Sequence, residues 1–173
     1  MSKSVFLLSF LLLAYPAMSS DGSDGLRKCF HESVLDESKI DMFHQKVMAI
    51  DMPSAIEKAY QAASFALLAK KVWNPIEKIE YLNRYSKLID RAIAAAPNNI
   101  EIRFLRLSID HNTPMIAGRR HHVDDDKKQI LKLLAPLVKF ELDTYFNRFI
   151  IYFLKSEKIY SESELQFVIA RLT

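Results

Sequence analysis

Residues 51–71 read DMPSAIEKAYQAASFALLAKK, and this alanine-rich stretch decides what kind of fold the chain can adopt. Asp51 offers a helix cap, Pro53 suits a first helical turn, and six alanines recur along the segment at helical intervals. Small side chains let neighbouring helices approach closely, while Ile56 and Phe65 add apolar bulk on other sides. The stretch therefore predicts a slim helix at the centre of an α-helical protein.

The segments on either side show the same helical periodicity, with apolar residues three and four apart. The periodicity predicts about seven helices, over residues 36–50, from 51 to a stop at 73–75, over 75–96, from 100 to a stop at 111–114, and over 124–140, 142–154 and 161–172. Pro136 should kink or split the fifth helix, and Ser161 with Glu164 forms a capping box for the last. The connections are short and the chain has only three glycines, which favours antiparallel helices over a sheet.

Composition places the chain among ordinary globular proteins, with 50% hydrophobic and 26% charged residues. The formal net charge of +3 is too small to predict binding to nucleic acid or to an anionic membrane. Cys29 is the only cysteine, so it is either a free thiol or the partner of a cysteine in another chain.

The N-terminus has the pattern of a leader peptide. Residues 1–19 combine Lys3 with an apolar run of about 11 residues and end in Ala17-Met18-Ser19, which predicts a cleavable signal peptide. An uncleaved anchor is the alternative, although the run is shorter than the roughly 20 residues that span a bilayer. We expect an exported protein, periplasmic or secreted, with a flexible segment over 20–35 and one helical domain over 36–173 that has no membrane span.

The stretch RAIAAAPNN at residues 91–99 resembles the end of a tetratricopeptide repeat. In that family an alanine in the second helix precedes a helix-ending proline by five residues, as Ala92 precedes Pro97 here. Tyr85 departs from the family's other small position, so the resemblance is specific over about ten residues and looser over 55–110. It implies antiparallel helical hairpins stacked in a short repeat-like solenoid or bundle, with a groove that binds a protein or peptide.

A second resemblance involves the stretch RFLRLS at residues 103–108, with Asn112-Thr113-Pro114 and Asp126-Lys127-Lys128 after it. These segments are similar to ones in a family of small exported proteins of Bacteroidetes bacteria. The loop at 115–119 departs from that family's pattern. The resemblance implies an exported helical protein and no particular activity.

Residues 112–124 form the one long irregular stretch, and such loops often carry function. The loop's basic residues, beside the helix face that bears two arginines, suggest a contact surface for an acidic partner. The members of this hypothetical surface are Arg103, Arg106, Arg119, Arg120, His121 and His122. In the alternative interpretation the loop is a solvated connection, and the helix arginines pair with Asp110 or Asp126 inside the protein.

The chemical motifs of enzymes are weak here. A divalent metal could be held by His111, His121, His122 and Asp124, but no H-x-x-x-H or H-E-x-x-H spacing supports the site. The aromatic stripe of residues 142–154 is either core or, through its tyrosines, a contact with a partner. The sequence therefore predicts a non-enzymatic interaction module without a cofactor, whose partner is an unknown protein or peptide. The alternative is a small exported metal-binding protein or metal-dependent hydrolase.

Overall fold

A computed structural model of the chain describes residues 21–113, 121–140 and 144–172. Within these ranges the regular elements are eight α-helices and one short 3-10 helix, Glu37–Lys39, and none of the described residues forms a β-strand. The helices are α1 Asp21–Leu35, α2 Ile40–Met48, α3 Ala55–Lys71, α4 Pro75–Ala95, α5 Ile100–Asn112, α6 His121–Leu134, α7 Thr144–Glu157 and α8 Glu162–Leu172. The prediction of an all-α fold is confirmed.

Helix α1 corrects the prediction of a flexible segment over residues 20–35. Leu26 and Phe30 are 3% and 2% exposed, so this helix is part of the core. Phe30 lies among three aromatic rings at centroid distances of 5.1 to 6.0 Å, those of Phe43, Tyr60 and Phe149. The polar composition just before residue 26 suggested flexibility, whereas the four-residue spacing of the two buried side chains determines the structure. The predicted signal peptide, residues 1–19, lies outside the described residues.

The region predicted as one helix over 36–50 contains two shorter elements. Asp36 caps the 3-10 turn, because its carboxylate accepts a hydrogen bond from the Ser38 backbone N–H at 3.0 Å. Helix α2 follows and ends at Met48. Its inward residues, Ile40, Phe43 and Val47, follow the helical spacing of three and four, and all three are buried.

Helix α3 is the central element, in agreement with the alanine pattern, but it begins later than predicted. Met52 adopts a φ of 50°, a left-handed conformation that a helix beginning at Asp51 could not contain. The cap is Ser54, which exchanges hydrogen bonds with Glu57 in a capping box. Three alanines on α3 are fully buried, Ala59, Ala62 and Ala63. Their small side chains allow contacts with α1, α2, α4 and α5.

Helices α3 and α4 form the most extensive pair, and α5 follows through a tight connection. Asn74 caps α4, because its side chain accepts from the Ile76 N–H at 2.9 Å. Pro97 lies just beyond the end of α4, and Asn99 caps α5. Ala92 is fully buried where α4 packs on its neighbours. Hairpins of this kind occur in many all-α proteins, so the geometry by itself establishes no repeat.

Helix α6 differs at both ends from the predicted helix over 124–140. It begins at His121, so the final residues of the predicted 112–124 loop are helical, while 114–120 lie outside the described residues. It ends at Leu134, two residues before Pro136. Proline lacks the N–H that continues a helix and disfavours helical geometry in the preceding residue, so it terminates α6 instead of kinking it.

The last two helices close the structure. Ser161 and Glu164 form the predicted capping box at the start of α8, with the Glu164 carboxylate accepting from the Ser161 N–H at 2.9 Å. Arg171 ties α8 to the end of α6, because its Nε donates to the Leu134 carbonyl at 3.0 Å. Every α-helix contributes to one hydrophobic core. Among the described helices, none combines the length and apolar character needed to cross a bilayer.

Candidate functional site

Arg103 and Arg106 are joined to one buried carboxylate. They lie three residues apart on α5, so both reach Asp126 on α6, which is fully buried. Arg106 donates from Nε and Nη2 to the Asp126 oxygens at 2.7 and 2.8 Å, and Arg103 donates from Nη1 at 2.7 Å. Asp125 supplies a second, more exposed negative charge at 3.5 to 3.6 Å from both arginines. The cluster holds α5 against α6.

This arrangement corrects the idea that Arg103 and Arg106 belong to a contact surface. Arg103 and Arg106 are 7% and 5% exposed, and they form ion pairs inside the protein, as the alternative interpretation predicted. Asp110, the other suggested partner, instead accepts a hydrogen bond from the Tyr85 hydroxyl at 2.7 Å. Of the remaining members of that surface, His122 lies half-buried in the first turn of α6, and Arg119, Arg120 and the His121 side chain lie outside the described residues.

The suggested metal ligands are placed on two different helices. His111 lies in the last turn of α5, where its Nε2 is 3.4 Å from a carboxylate oxygen of Glu157. His122 and Asp124 lie in the first turn of α6. Within the described part of the chain, no group of three or more His, Cys, Asp or Glu side chains could hold a metal ion. The His121 side chain is not among those described.

A second buried polar cluster, which the sequence analysis missed, connects α1 to α3 and α5. Arg27 donates from Nε and Nη2 to the two Glu101 oxygens at 2.9 and 2.8 Å, and the Tyr60 hydroxyl donates to the same carboxylate at 2.6 Å. Burial, with the neighbouring Glu101 charge, raises the pKa of Tyr60 well above its usual value. Tyr60 and Arg27 lie 41 and 74 positions before Glu101 in sequence, so no local pattern could reveal the cluster.

An open cleft of about 730 Å³ lies where α1, α3, α5 and α7 meet. Its walls are mainly aliphatic and aromatic, with Phe30, Val34, Leu67, Ile109, Phe149 and Phe153 as the main apolar contributors. Binding sites in proteins commonly have volumes of about 300 to 1,000 Å³ and apolar walls with a few polar groups. The cleft is therefore the candidate binding site of the described structure.

Four polar side chains of the cleft donate hydrogen bonds to the backbone. Ser108 and Ser156 donate to the carbonyls three residues before them at 3.0 and 3.1 Å, and Asn112 and Thr113 to those four before them at 2.9 and 2.7 Å. These donors are used inside the helices. The cleft consequently offers an occupant mainly apolar surface, and its charged groups lie at the edges.

The mouth of the cleft carries exposed apolar side chains. Leu35 and Tyr152 line the cleft and are each 71% exposed. On α7 the phenylalanines turn inward and the tyrosines outward, since Phe146, Phe149 and Phe153 are buried while Tyr145 and Tyr152 are exposed. Contiguous exposed apolar surface often marks a binding site. The core interpretation of the aromatic stripe thus holds for the phenylalanines, whereas a partner contact through the tyrosines stays a prediction.

A separate exposed apolar surface lies at the α3–α4 turn. Trp73 is 98% exposed and Ile76 is 69% exposed, and neither lines the cleft. Cys29 lies on α1, half-buried, and its sulfur accepts a hydrogen bond from the Lys46 ammonium at 3.3 Å. Cys29, like Trp73 and Ile76, does not line the cleft.

The fold and the site together define a class: an all-α protein with an open apolar cleft between four of its helices. No protein-family model, no curated protein and no solved structure gives a significant match to this chain. The proposed function therefore rests on the geometry of the cleft and on the charges around it.

Proposed function

We propose that this chain is an exported, non-enzymatic interaction module that holds a segment of a partner protein in the cleft between α1, α3, α5 and α7. The observation that supports this most is the cleft itself, with its volume of about 730 Å³ and its aromatic and aliphatic walls. Burying such surface against a partner drives association without any chemical step.

The partner segment binds as an amphipathic helix. Pairing of an extended peptide with a sheet edge requires an exposed strand, and the described residues contain none. A helix can instead insert apolar side chains from one face into the cleft, at spacings of three and four residues. Leu35 and Tyr152, at the mouth, then cover the sides of the inserted helix.

Two further features support the proposal. The Ser108, Thr113 and Ser156 hydroxyls donate to backbone carbonyls and not to an adjacent general base, which a nucleophile would need. The pattern of residues 1–19 supports export, which makes the partner a periplasmic, surface or secreted protein.

Position-specific photo-crosslinking in cells that produce the chain tests the proposal. A photoreactive amino acid replaces Leu67, which lines the cleft, or Val138, which is 95% exposed and lies outside it. We expect the Leu67 position to crosslink one recurring protein segment of helical periodicity and the Val138 position not to do so. Unfolding of each purified variant in urea checks that the fold is intact.

Equal crosslinking patterns at the two positions, or no protein adduct at Leu67 in a folded variant, would falsify the proposal. A second cleft position, Tyr152, provides an independent replicate, because its exposed side chain tolerates replacement. Adducts at Tyr152 and Leu67 should map to the same partner segment.

A further inference from the structure

Positively charged side chains lie at one end of the cleft, where α1 and α7 are in contact. Lys28 Nζ lies 5.9 Å from the centre of the Tyr145 ring, and the His31 ring lies 6.2 Å from the same ring. Arg148 follows Tyr145 by three residues on α7, so both lie on one face of the helix, and Arg148 and His31 both line the cleft. Lys28 and Arg148 are called the cationic end.

The other charged side chains of the cleft are matched within the protein. Lys70 lies 3.3 Å from Glu37, and Glu157 lies 3.4 Å from His111. Glu157 follows Arg148 by nine residues, which is about 13 Å along a helix. Among the described residues, the salt bridges include none from the cationic end to a carboxylate.

We infer that the segment held in the cleft carries an acidic side chain next to its apolar stripe, and that this carboxylate lies against Arg148 at the cationic end. The inference rests on the proposed function and specifies the chemistry of the partner. Guanidinium and carboxylate groups match in geometry and can form paired hydrogen bonds. Arg148 is exposed, so the pair contributes modestly to affinity and mainly selects the partner and its orientation.

The test is selection from a phage library of 18-residue helices whose surface positions are randomised, with the folded chain as bait. We expect the enriched helices to carry Asp or Glu one turn from the apolar stripe more often than the unselected library does. Replacing that acid with its amide in an enriched helix should weaken binding about two- to fivefold.

Two matched variants test whether Arg148 causes the preference for acidic helices. Arg148→Gln should abolish the preference for acidic helices, and the acid-to-amide change in the helix should then have no further effect. Arg91→Gln removes the same kind of charge from an exposed position on α4 outside the cleft, and it should leave the preference intact. Enriched helices without acidic bias, or a bias that survives Arg148→Gln, would overturn the inference.

If the cleft does not bind helices at all, the selection gives a different result. Ala66 lines the cleft, and Ala66→Trp fills part of it. If no helix is enriched on the natural chain relative to folded Ala66→Trp, the cleft does not bind helices and both proposals fail. If Ala66→Trp does not fold, Leu67→Glu serves the same purpose by placing a charge in the apolar wall. Binding of sodium laurate tests a third outcome. If laurate binds in the cleft and no helix is enriched, the cleft is a site for a small amphiphile instead.

Discussion

Asp126 shows how one buried residue can determine the relation of two helices. Its two oxygens accept hydrogen bonds from both Arg103 and Arg106, and its side chain is fully enclosed. The sequence suggested Asp126 as a partner because two arginines three residues apart in an apolar stretch require a negative charge. Spacing alone could not show that both would share the same carboxylate.

Removing this carboxylate should cost far more than removing its neighbour. Asp126→Ala leaves two guanidinium groups buried without their main partner, a situation that typically costs about 3–5 kcal/mol. Asp125→Ala removes a carboxylate that is 54% exposed and should cost at most about 1 kcal/mol. Unfolding in urea measures the free energy of unfolding of both variants. Similar losses for the two variants would show that Asp126 does not hold the ion-pair cluster together.

His44 makes the stability of the protein depend on pH. Its Nδ1 lies 2.8 Å from the Ser64 hydroxyl, and partial burial lowers the pKa of the imidazole below its usual value of 6.5. The unfolded chain then binds the proton more tightly than the folded chain does. The His44 contribution is therefore complete above the usual pKa and is lost as the pH falls below it.

We expect the free energy of unfolding to fall more between pH 7.5 and pH 5.5 in the natural chain than in His44→Gln. All other residues are common to the two proteins, so the difference between the two isolates His44. Urea unfolding at the two pH values gives the comparison. Parallel pH dependence in both proteins would show that His44 titrates equally in the folded and unfolded chains.

At the scale of the helix, the sequence patterns did not predict the extent of α1 and α6. The polar residues before Leu26 suggested a flexible segment, although the chain buries the helix through Leu26 and Phe30. In α6 the acidic residues suggested a start at Asp124, whereas the helix begins at His121. In both cases the local composition was informative, but the extent of the helix depends on long-range packing.

The contribution of α1 can be measured by comparing two of its side chains. Phe30→Ala should destabilise the protein by about 3–5 kcal/mol, because it removes a ring that is 2% exposed and leaves a cavity. Leu35→Ala changes a side chain that is 71% exposed, and its effect should stay within about 0.5 kcal/mol. If Phe30→Ala is equally mild, α1 is not a core element.

The α4 alanines test the close helix crossing that the sequence suggested. Ala92→Phe forces a ring into a fully buried position and should cost about 1–3 kcal/mol. Ala94→Phe makes the same change at an exposed position on the same helix and should leave the unfolding midpoint nearly unchanged. Equal midpoints for the two variants would place Ala92 on the surface.

At the scale of the whole molecule, the sequence predicts the fold class well and the candidate site poorly. The helix periodicity and the Ser161 capping box each depend on nearby residues, and the structure confirms them. The cleft depends on four helices from distant parts of the chain, one of which was predicted to be flexible. Its shape therefore could not follow from any local pattern.

The whole-molecule account predicts that apolar recognition and charge act together at a single place. The cleft supplies the buried surface, and the cationic end supplies the preference for an acidic segment. Trp73 and Ile76 are exposed apolar side chains outside the cleft and could compete with it for a partner. A measurement that separates these two surfaces therefore decides the central claim.

That measurement is a nuclear magnetic resonance titration of the isotope-labelled chain with the most strongly enriched helix. The account predicts that backbone amide shifts concentrate on the cleft walls, at residues such as Val34, Leu67 and Ile109, and saturate with one helix per chain. Shifts centred on Trp73 and Ile76 with the cleft walls unchanged would contradict it.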